Sequence, residues 1–350
     1  MLEIDGSLHS GSGTIVRQSV AYAAVTGRQV RIRNARAGRP HPGLRPQHVR
    51  AIEAVRDLVG GTLEGVQVGS VSLVFRPGDQ APAGRYVWDI GTAGSATMLA
   101  LAVLPVLAVR GRGVEVEIRG GLFQDFAPSL FHLKHVLTPM LASMGMAAEI
   151  EMIRPGYVPA GEGVLRMAVA PAVLPLRPVT PKRAREPASV WGIALASHLD
   201  DRRVSARMAT AARSVLAAAG ISASIGERSD NTAAQPGAAF ALFADFHGGA
   251  RLGADCAGAP RRRAERIGTR VARQLLDEIA SDATVDRYAA DQILPFAALA
   301  DGETILRVPF VTGHTETGGW LASLFLGTGI HVEGNVIAIR GRGGSLTVPR

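Results

Sequence analysis

The chain has 350 residues, 47% of them hydrophobic and 19% charged, with a formal net charge of +8. That balance excludes a disordered polar chain and fits a soluble globular protein long enough for two domains, or for one domain with an insert. Cys256 is the only cysteine, which excludes an internal disulfide and a cysteine-rich zinc site. The basic excess is almost wholly arginine, which suits an anionic partner such as a nucleotide or an RNA end, though an arginine-rich composition accounts for it equally well.

In chain order, residues 2–5 are predicted as a strand, followed by a Gly/Ser turn and an apolar helix over 14–26. A strand at 29–33, a helix at 42–58 and strands at 62–66 and 72–76 follow. The pattern then repeats. A strand at 86–89 leads through Gly91-Thr92-Ala93-Gly94-Ser95 into a long apolar helix. Next come a strand at 114–119, a helix at 127–143, and strands at 147–154 and 163–168. Asp5 and Asp89 are 84 positions apart, as are Val30 and Val114, so the period is one β-α-β-α-β-β unit. The apolar run at 94–109 falls short of the roughly 18–20 residues that span a bilayer. With no basic, then apolar, leader at Met1, a cytoplasmic protein without a membrane segment is expected.

Residues 173–187 carry several prolines and a basic run, and are predicted as a linker into an inserted module. Within it, 204–219 and 262–280 are predicted as helices. Ile267, Val271, Leu275 and Ile279 form an apolar stripe on the second, which opens with Arg261-Arg262-Arg263. From Tyr288 the order of the first two units resumes: a helix at 289–300, a strand at 304–308, a helix at 315–327, and strands at 330–333 and 336–340. The expected fold is a layered α/β protein of three β-α-β-α-β-β units with a smaller inserted α/β domain. Residues 1–175 hold the first two repeats, 176–281 the insert and 282–350 the third repeat.

Lys134 and Lys182 are the only lysines. Neither lies in a Gly-rich loop ending Gly-Lys-Ser/Thr or in a Lys-x-Asp-Gly pattern, so bound phosphates would have to be held by arginine. Any attacking residue must then be something else, and His314, opening the last helical pattern, is the candidate. Three other clusters stand out. The turn from Asp5 to Gly13, followed by Arg17, precedes a helix and exposes backbone N–H groups, but a plain strand-to-helix turn explains it as well. Arg36 and Arg39 flank two small residues ahead of Pro42-Gly43, Gln47 and His48; ordinary surface ion pairs are the competing explanation. Tyr288, Asp291 and Gln292 open a helix, where capping would account for them.

Together these blocks give the chain its resemblance to the RNA 3′-terminal phosphate cyclases. The resemblance is carried by Arg36-Ala37-Gly38-Arg39 with Pro42-Gly43 and Gln47-His48, and by Ile90-Gly91-Thr92-Ala93-Gly94-Ser95. It continues through Gly156-Tyr157-Val158-Pro159-Ala160-Gly161, Tyr288 with Ala290-Asp291-Gln292, and His314-x-x-Thr317. The resemblance implies ATP-dependent conversion of an RNA 3′-phosphate to a 2′,3′-cyclic phosphate through a covalent His314–AMP. It makes Arg17, Arg36, Arg39, Gln47, His48, Tyr288, Asp291 and Gln292 the nucleotide-binding set, with Mg²⁺ or Mn²⁺ accompanying ATP. A glutamate of the family's first Gly-rich turn aligns with Ser10, and a glutamine of its second long helix with Leu101. Two alternatives stand beside this reading: a non-catalytic RNA- or ribosome-assembly protein on the same scaffold, and an adenylating cyclase of a non-RNA phosphate. The oligomeric state is left open.

Overall fold

The computed structural model describes residues 1–345; the last five residues of the predicted third repeat, 346–350, lie outside them. The first unit runs β1 (Leu2–Asp5), α1 (Gly13–Thr26), β2 (Val30–Arg33), α2 (Pro46–Val59), β3 (Gly61–Glu64) and β4 (Leu73–Pro77). β1 and β2 pair in parallel and the sheet order is β1-β2-β4-β3. α1 is set by its ends: the Ser12 side chain accepts from the Thr14 N–H, and Gly27 closes the helix in the left-handed conformation. α2 starts four residues later than the pattern suggested. Pro46 occupies its first turn, where the missing N–H costs nothing, and the preceding residues form a loop with Gly43 at φ +79°.

The second unit repeats the first. β5 (Gly84–Asp89), α3 (Ala96–Arg110), β6 (Val114–Gly120), a broken helix, β7 (Ala148–Arg154) and β8 (Gly163–Val169) give the order β5-β6-β8-β7. The broken helix consists of α4 (Leu130–His132), a π-helical stretch Leu133–Leu137 and α5 (Thr138–Ser143). Almost every residue of α3 is buried, whereas β6 alternates, with Val114, Val116 and Ile118 inward and Glu115 and Arg119 outward. Helices therefore fill the interior and the sheets form its outer walls.

The insert folds as β9 (Ser189–Ser197), α6 (Val204–Ala218), β10 (Ser224–Ser229), β11 (Gly237–Asp245), β12 (Arg251–Ala257) and α7 (Ala264–Ala280). Its sheet, ordered β10-β9-β11-β12, is covered on both faces. Ala238, Phe240 and Leu242 face a core under α6 and α7, while Ala239, Ala241 and Phe243 join the core of the three-unit body. The chain returns through α8 (Ala289–Leu299), β13 (Asp301–Arg307), α9 (Gly313–Leu326), β14 (Ile330–Glu333) and β15 (Val336–Arg342), with sheet order β13-β15-β14.

The third unit's opening segment lies within the predicted linker. Leu176 forms a parallel bridge with Ala300, and the Leu176 and Val179 carbonyls accept from Asp301 N (2.8 Å) and Ile305 N (3.2 Å). Residues 176–179 thus take the edge place beside β13 that β1 takes beside β2. Pro175 and Pro178 remove donors from this segment and keep it from being a full strand. The insert separates it from α8. No helix among the described residues is long and apolar enough to cross a membrane.

Candidate active site

α1 packs against α9, and this brings the turn before α1 to the first turn of α9. Thr312 caps α9 by accepting from the Thr315 N–H (3.1 Å), which leaves His314 half-buried at the exposed start of the helix. His314 Nδ1 lies 3.1 Å from Thr14 Oγ1 and 3.5 Å from Ser12 Oγ. Beside it, Ser10 Oγ lies 2.9 Å from Thr317 Oγ1 and 3.0 Å from Ser12 Oγ, and Thr317 Oγ1 donates to the Gly313 carbonyl (2.6 Å). A continuous set of hydroxyls therefore holds the Nδ1 edge of the imidazole. The Nε2 edge takes part in no hydrogen bond within the described residues.

Arg17, one turn into α1, sits close by with Nη2 3.5 Å from Thr14 Oγ1. His48 comes from the first turn of α2, where its Nδ1 accepts the Arg45 N–H at 3.2 Å. That bond assigns the proton of the neutral ring to Nε2, which abuts Gly13. A Cβ on residue 13 would lie 2.4 Å from His48 Nε2 and 3.0 Å from Arg17 Nη1, so only glycine fits this approach. Arg36 adopts a left-handed φ of +58° and donates from Nη1 to the carbonyls of His41 (3.0 Å) and Gly43 (2.6 Å), pinning the loop ahead of α2. Arg39 is exposed. Among the described residues none of Arg17, Arg36 and Arg39 has a carboxylate at ion-pair distance.

The result is a strongly positive site. Burial, then Arg17, Arg36, Arg45 and Arg39, pushes His48 down to about 3. Burial, then Arg17 and Arg39, holds His314 below its ordinary value, so both rings are neutral at pH 7. Burial brings Arg17 down to about 10, with Asp291 opposing and Arg39 and Arg36 reinforcing, and it remains a cation. Asp291, in the first turn of α8, is pushed up to about 7 by burial against the pull of Arg17.

His314, Arg17, Arg36, Arg39, His48 and Asp291 thus act on one another in one place. The remaining predicted residues adjoin this group in sequence or through His132: Gln47 precedes His48, Gln292 follows Asp291, and Tyr288 packs on His132, which acts on Asp291. Gln47 Oε1 accepts the Ser95 N–H (2.7 Å), so it ties α2 to the start of α3. Gln292 is buried with its Oε1 unpartnered. Tyr288, 39% exposed, packs edge-on to His132 with ring centroids 6.2 Å apart.

Sequence reasoning missed the hydroxyls of Ser12 and Thr14 as partners of His314, although their alternation with glycine was visible. It also missed His132, whose Nε2 lies 3.0 and 3.1 Å from the two Asp286 carboxylate oxygens, both side chains fully buried. Asp286 further accepts from Gly253 N, Tyr288 N and Ala289 N, each at 2.9 Å, so it joins β12 to the start of α8.

A neutral imidazole amid arginines suits a phosphate-bearing partner. The RNA 3′-terminal phosphate cyclase family model matches residues 8–332. Curated RNA 3′-terminal phosphate cyclases resemble the chain along its length. That of Archaeoglobus fulgidus is 37% identical over 97% of this chain and 100% of its own. That of Thermococcus onnurineus is 39% identical over 96% of each, and that of Nitrosospira multiformis 38% identical over 98% of this chain and 97% of its own. Among solved structures, the enolpyruvyl transferase NikO from Streptomyces tendae aligns with 99% of this chain and 49% of its own, at 13% identity and a TM-score of 0.40. The chain belongs to the RNA 3′-terminal phosphate cyclase family.

Proposed function

We propose that this protein is an ATP-dependent RNA 3′-terminal phosphate cyclase in which His314 carries AMP. The observation that supports it most is the tethering of His314 Nδ1 by Thr14 Oγ1 within a positive field. With Thr14 accepting the Nδ1 proton, the lone pair sits on Nε2, the free edge. Nε2 attacks the α-phosphorus of ATP, an N–P bond forms, and the bond to pyrophosphate breaks. An oxygen of the RNA 3′-phosphate then attacks that phosphorus, the N–P bond breaks, and neutral His314 is regenerated. Finally the ribose 2′-OH loses its proton and attacks the RNA phosphorus, expelling AMP and closing the 2′,3′-cyclic phosphate.

Arg17, Arg36 and Arg39 serve as the cationic wall for the phosphates, and their lack of acidic partners leaves that charge available to an incoming anion. His48, neutral with Nε2–H toward Gly13, can donate but adds no charge. Gln47, Tyr288, Asp291 and Gln292, at the surrounding helix starts, complete the nucleotide-binding set in this reading. Among the described residues no three His, Cys, Asp or Glu side chains gather to hold a metal ion. In this reading Mg²⁺ or Mn²⁺ enters with ATP as its counterion. A cytoplasmic location accords with such an RNA-processing role.

The test is incubation with α-labelled ATP and Mg²⁺ or Mn²⁺, with and without a 3′-phosphorylated oligoribonucleotide. Acid-labile label on the protein, absent in His314→Ala, and a cyclic-phosphate product are expected. Label that persists in His314→Ala overturns the nucleophile. RNA binding with no label in the wild type favours the non-catalytic alternative.

A further inference from the structure

The segment between β6 and α4 carries an aromatic ring that the fold does not use. Phe126 is fully exposed and has a left-handed φ of +66°, a conformation that a bulky side chain rarely adopts. The loop displaying it is braced rather than loose. Its base is fixed where Gly121 bridges Ser95 and where Leu130 N donates to the Leu122 carbonyl (3.1 Å). Phe123 anchors it inward, 1% exposed, against Phe131 and Tyr157 with centroids 4.8 and 5.7 Å away. Asp125, next to Phe126, accepts a two-pronged contact from Arg262 at 3.0 and 2.8 Å, and Arg262 also donates to the Ala257 carbonyl (2.6 Å).

Through Arg262 that contact joins Asp125, the residue before Phe126, to the edge of a cleft of about 290 Å³ lined by Ala259, Pro260, Arg261, Arg262, Arg266 and Arg270. Arg262 is neutralised by Asp125. Arg261, Arg266 and Arg270 are exposed and have no carboxylate at ion-pair distance among the described residues. The cleft is also connected to the site above: the loop's base bridges Ser95, Ser95 N is held by Gln47, and Gln47 adjoins His48 at the start of α2.

A displayed aromatic ring beside uncompensated guanidinium groups is the arrangement that grips single-stranded nucleic acid, by stacking a base and neutralising the backbone. We propose that Phe126 and the Arg261, Arg266 and Arg270 cleft form a subsite for the single-stranded RNA upstream of the 3′-phosphate, with Phe126 stacking a base and the arginines contacting phosphodiesters. The subsite rests on the cyclase reading. It makes the insert part of substrate recognition and sets a preference for longer strands.

The test is fluorescence anisotropy without ATP, using 5′-labelled, 3′-phosphorylated trinucleotide and dodecanucleotide RNAs. Tighter binding of the dodecanucleotide to the wild type is expected. Phe126→Ala should weaken that binding by roughly 5- to 150-fold, the range for losing one stacked base, and leave the trinucleotide unaffected. Replacing Arg266 and Arg270 together by Gln should flatten the dependence of log K on log salt by about 0.7 per lost phosphate contact. All these positions are exposed, and circular dichroism melts check that the variants fold. Labelling of His314 by ATP and cyclisation of the trinucleotide are followed in parallel. If the variants bind the dodecanucleotide as the wild type does while labelling and cyclisation persist, the subsite is wrong and the cyclase reading stands. If the wild type neither labels nor cyclises any RNA, that reading falls and takes the subsite with it.

Discussion

Replacing Thr14 by Val removes one hydroxyl from the site and nearly nothing else. Thr14 is 5% exposed in the first turn of α1, where Val fits the same space. The substitution deletes the 3.1 Å contact to His314 Nδ1 and the weak 3.5 Å one from Arg17 Nη2, and leaves Ser12 Oγ, at 3.5 Å, as the remaining partner of the ring. During attack the imidazole acquires positive charge, so the bond from Nδ1 strengthens toward the transition state. Hydrogen bonds to charged groups contribute about 1.5–3 kcal/mol, and the partial substitute at Ser12 argues for the lower end. A loss of about 1.5 kcal/mol corresponds to roughly a tenfold slower step. The assay is single-turnover labelling of the protein by α-labelled ATP, with Thr14→Ser as the companion variant. Thr14→Val should label about ten times more slowly, and Thr14→Ser close to the wild-type rate. A Thr14→Val rate within twofold of wild type, or equal loss in both variants, would refute the tethering of His314 through its Nδ1 edge.

Gly13→Ala forces a Cβ to 2.4 Å from His48 Nε2. It should cost about 1–3 kcal/mol in thermal melts and slow labelling by displacing His48 or Arg17; unchanged melting and labelling would contradict the close approach. Burial opposes charge on His132, but Asp286, with Asp255 and Asp291, outweighs it and raises the ring above 6.5. Its contribution to stability is then full below pH 6.5 and is lost as pH rises through the folded value, so wild-type melts should decline over that interval. In His132→Gln that decline should disappear, and its persistence would place its origin elsewhere. Arg39→Gln removes a like charge from beside His314, which favours the protonated ring. The acid limb of kcat/KM for labelling, which reports free enzyme, should therefore begin below pH 6.5 in the wild type and shift upward in the variant.

The repeat was legible because its spacing is a property of the chain: the same strand-turn-helix order recurs after 84 positions. The insert's strands were not. β9 and β11 read as unbroken apolar runs, since one set of alternate residues faces α6 and α7 and the other faces the three-unit body. A strand buried on both faces shows no period of two, and sequence alone does not separate it from a buried helix. Residues 176–179 were hidden by their prolines, because the contacts with β13 that make them a sheet edge are more than 120 positions away. At the site, the histidine and arginines could be named from residue chemistry. The service of Ser12 and Thr14 could not, because hydroxyls in a glycine-rich turn look like caps, and Ser12 is one. The part-buried bond from Ser95 N to Gln47 was equally hidden, because it joins two units that the sequence shows only one at a time. His132 and Asp286 are 154 positions apart and carry no local pattern at all.

The choice of imidazole and guanidinium at this site follows from one electrostatic constraint. Arginine keeps its charge when desolvated, and even Arg17, under burial and two neighbouring arginines, falls only to about 10. A wall of such groups holds phosphates at any physiological pH. Burial first, and then the same field, lowers whatever nucleophile stands beside it, so the proton is driven from His314 rather than held there. Imidazole needs only a small shift to be wholly neutral, whereas an ammonium group beginning near 10.4 needs a large one. The field has a second consequence in the proposed reaction. Once Nε2 bears AMP and Nδ1 keeps its proton, the ring is a cation facing Arg17 and Arg39, which destabilises the N–P bond relative to its products. In the proposed reaction the arginines that gather the phosphates thus also help burial keep the nucleophile free and make the intermediate labile, so one set of charges serves all three demands.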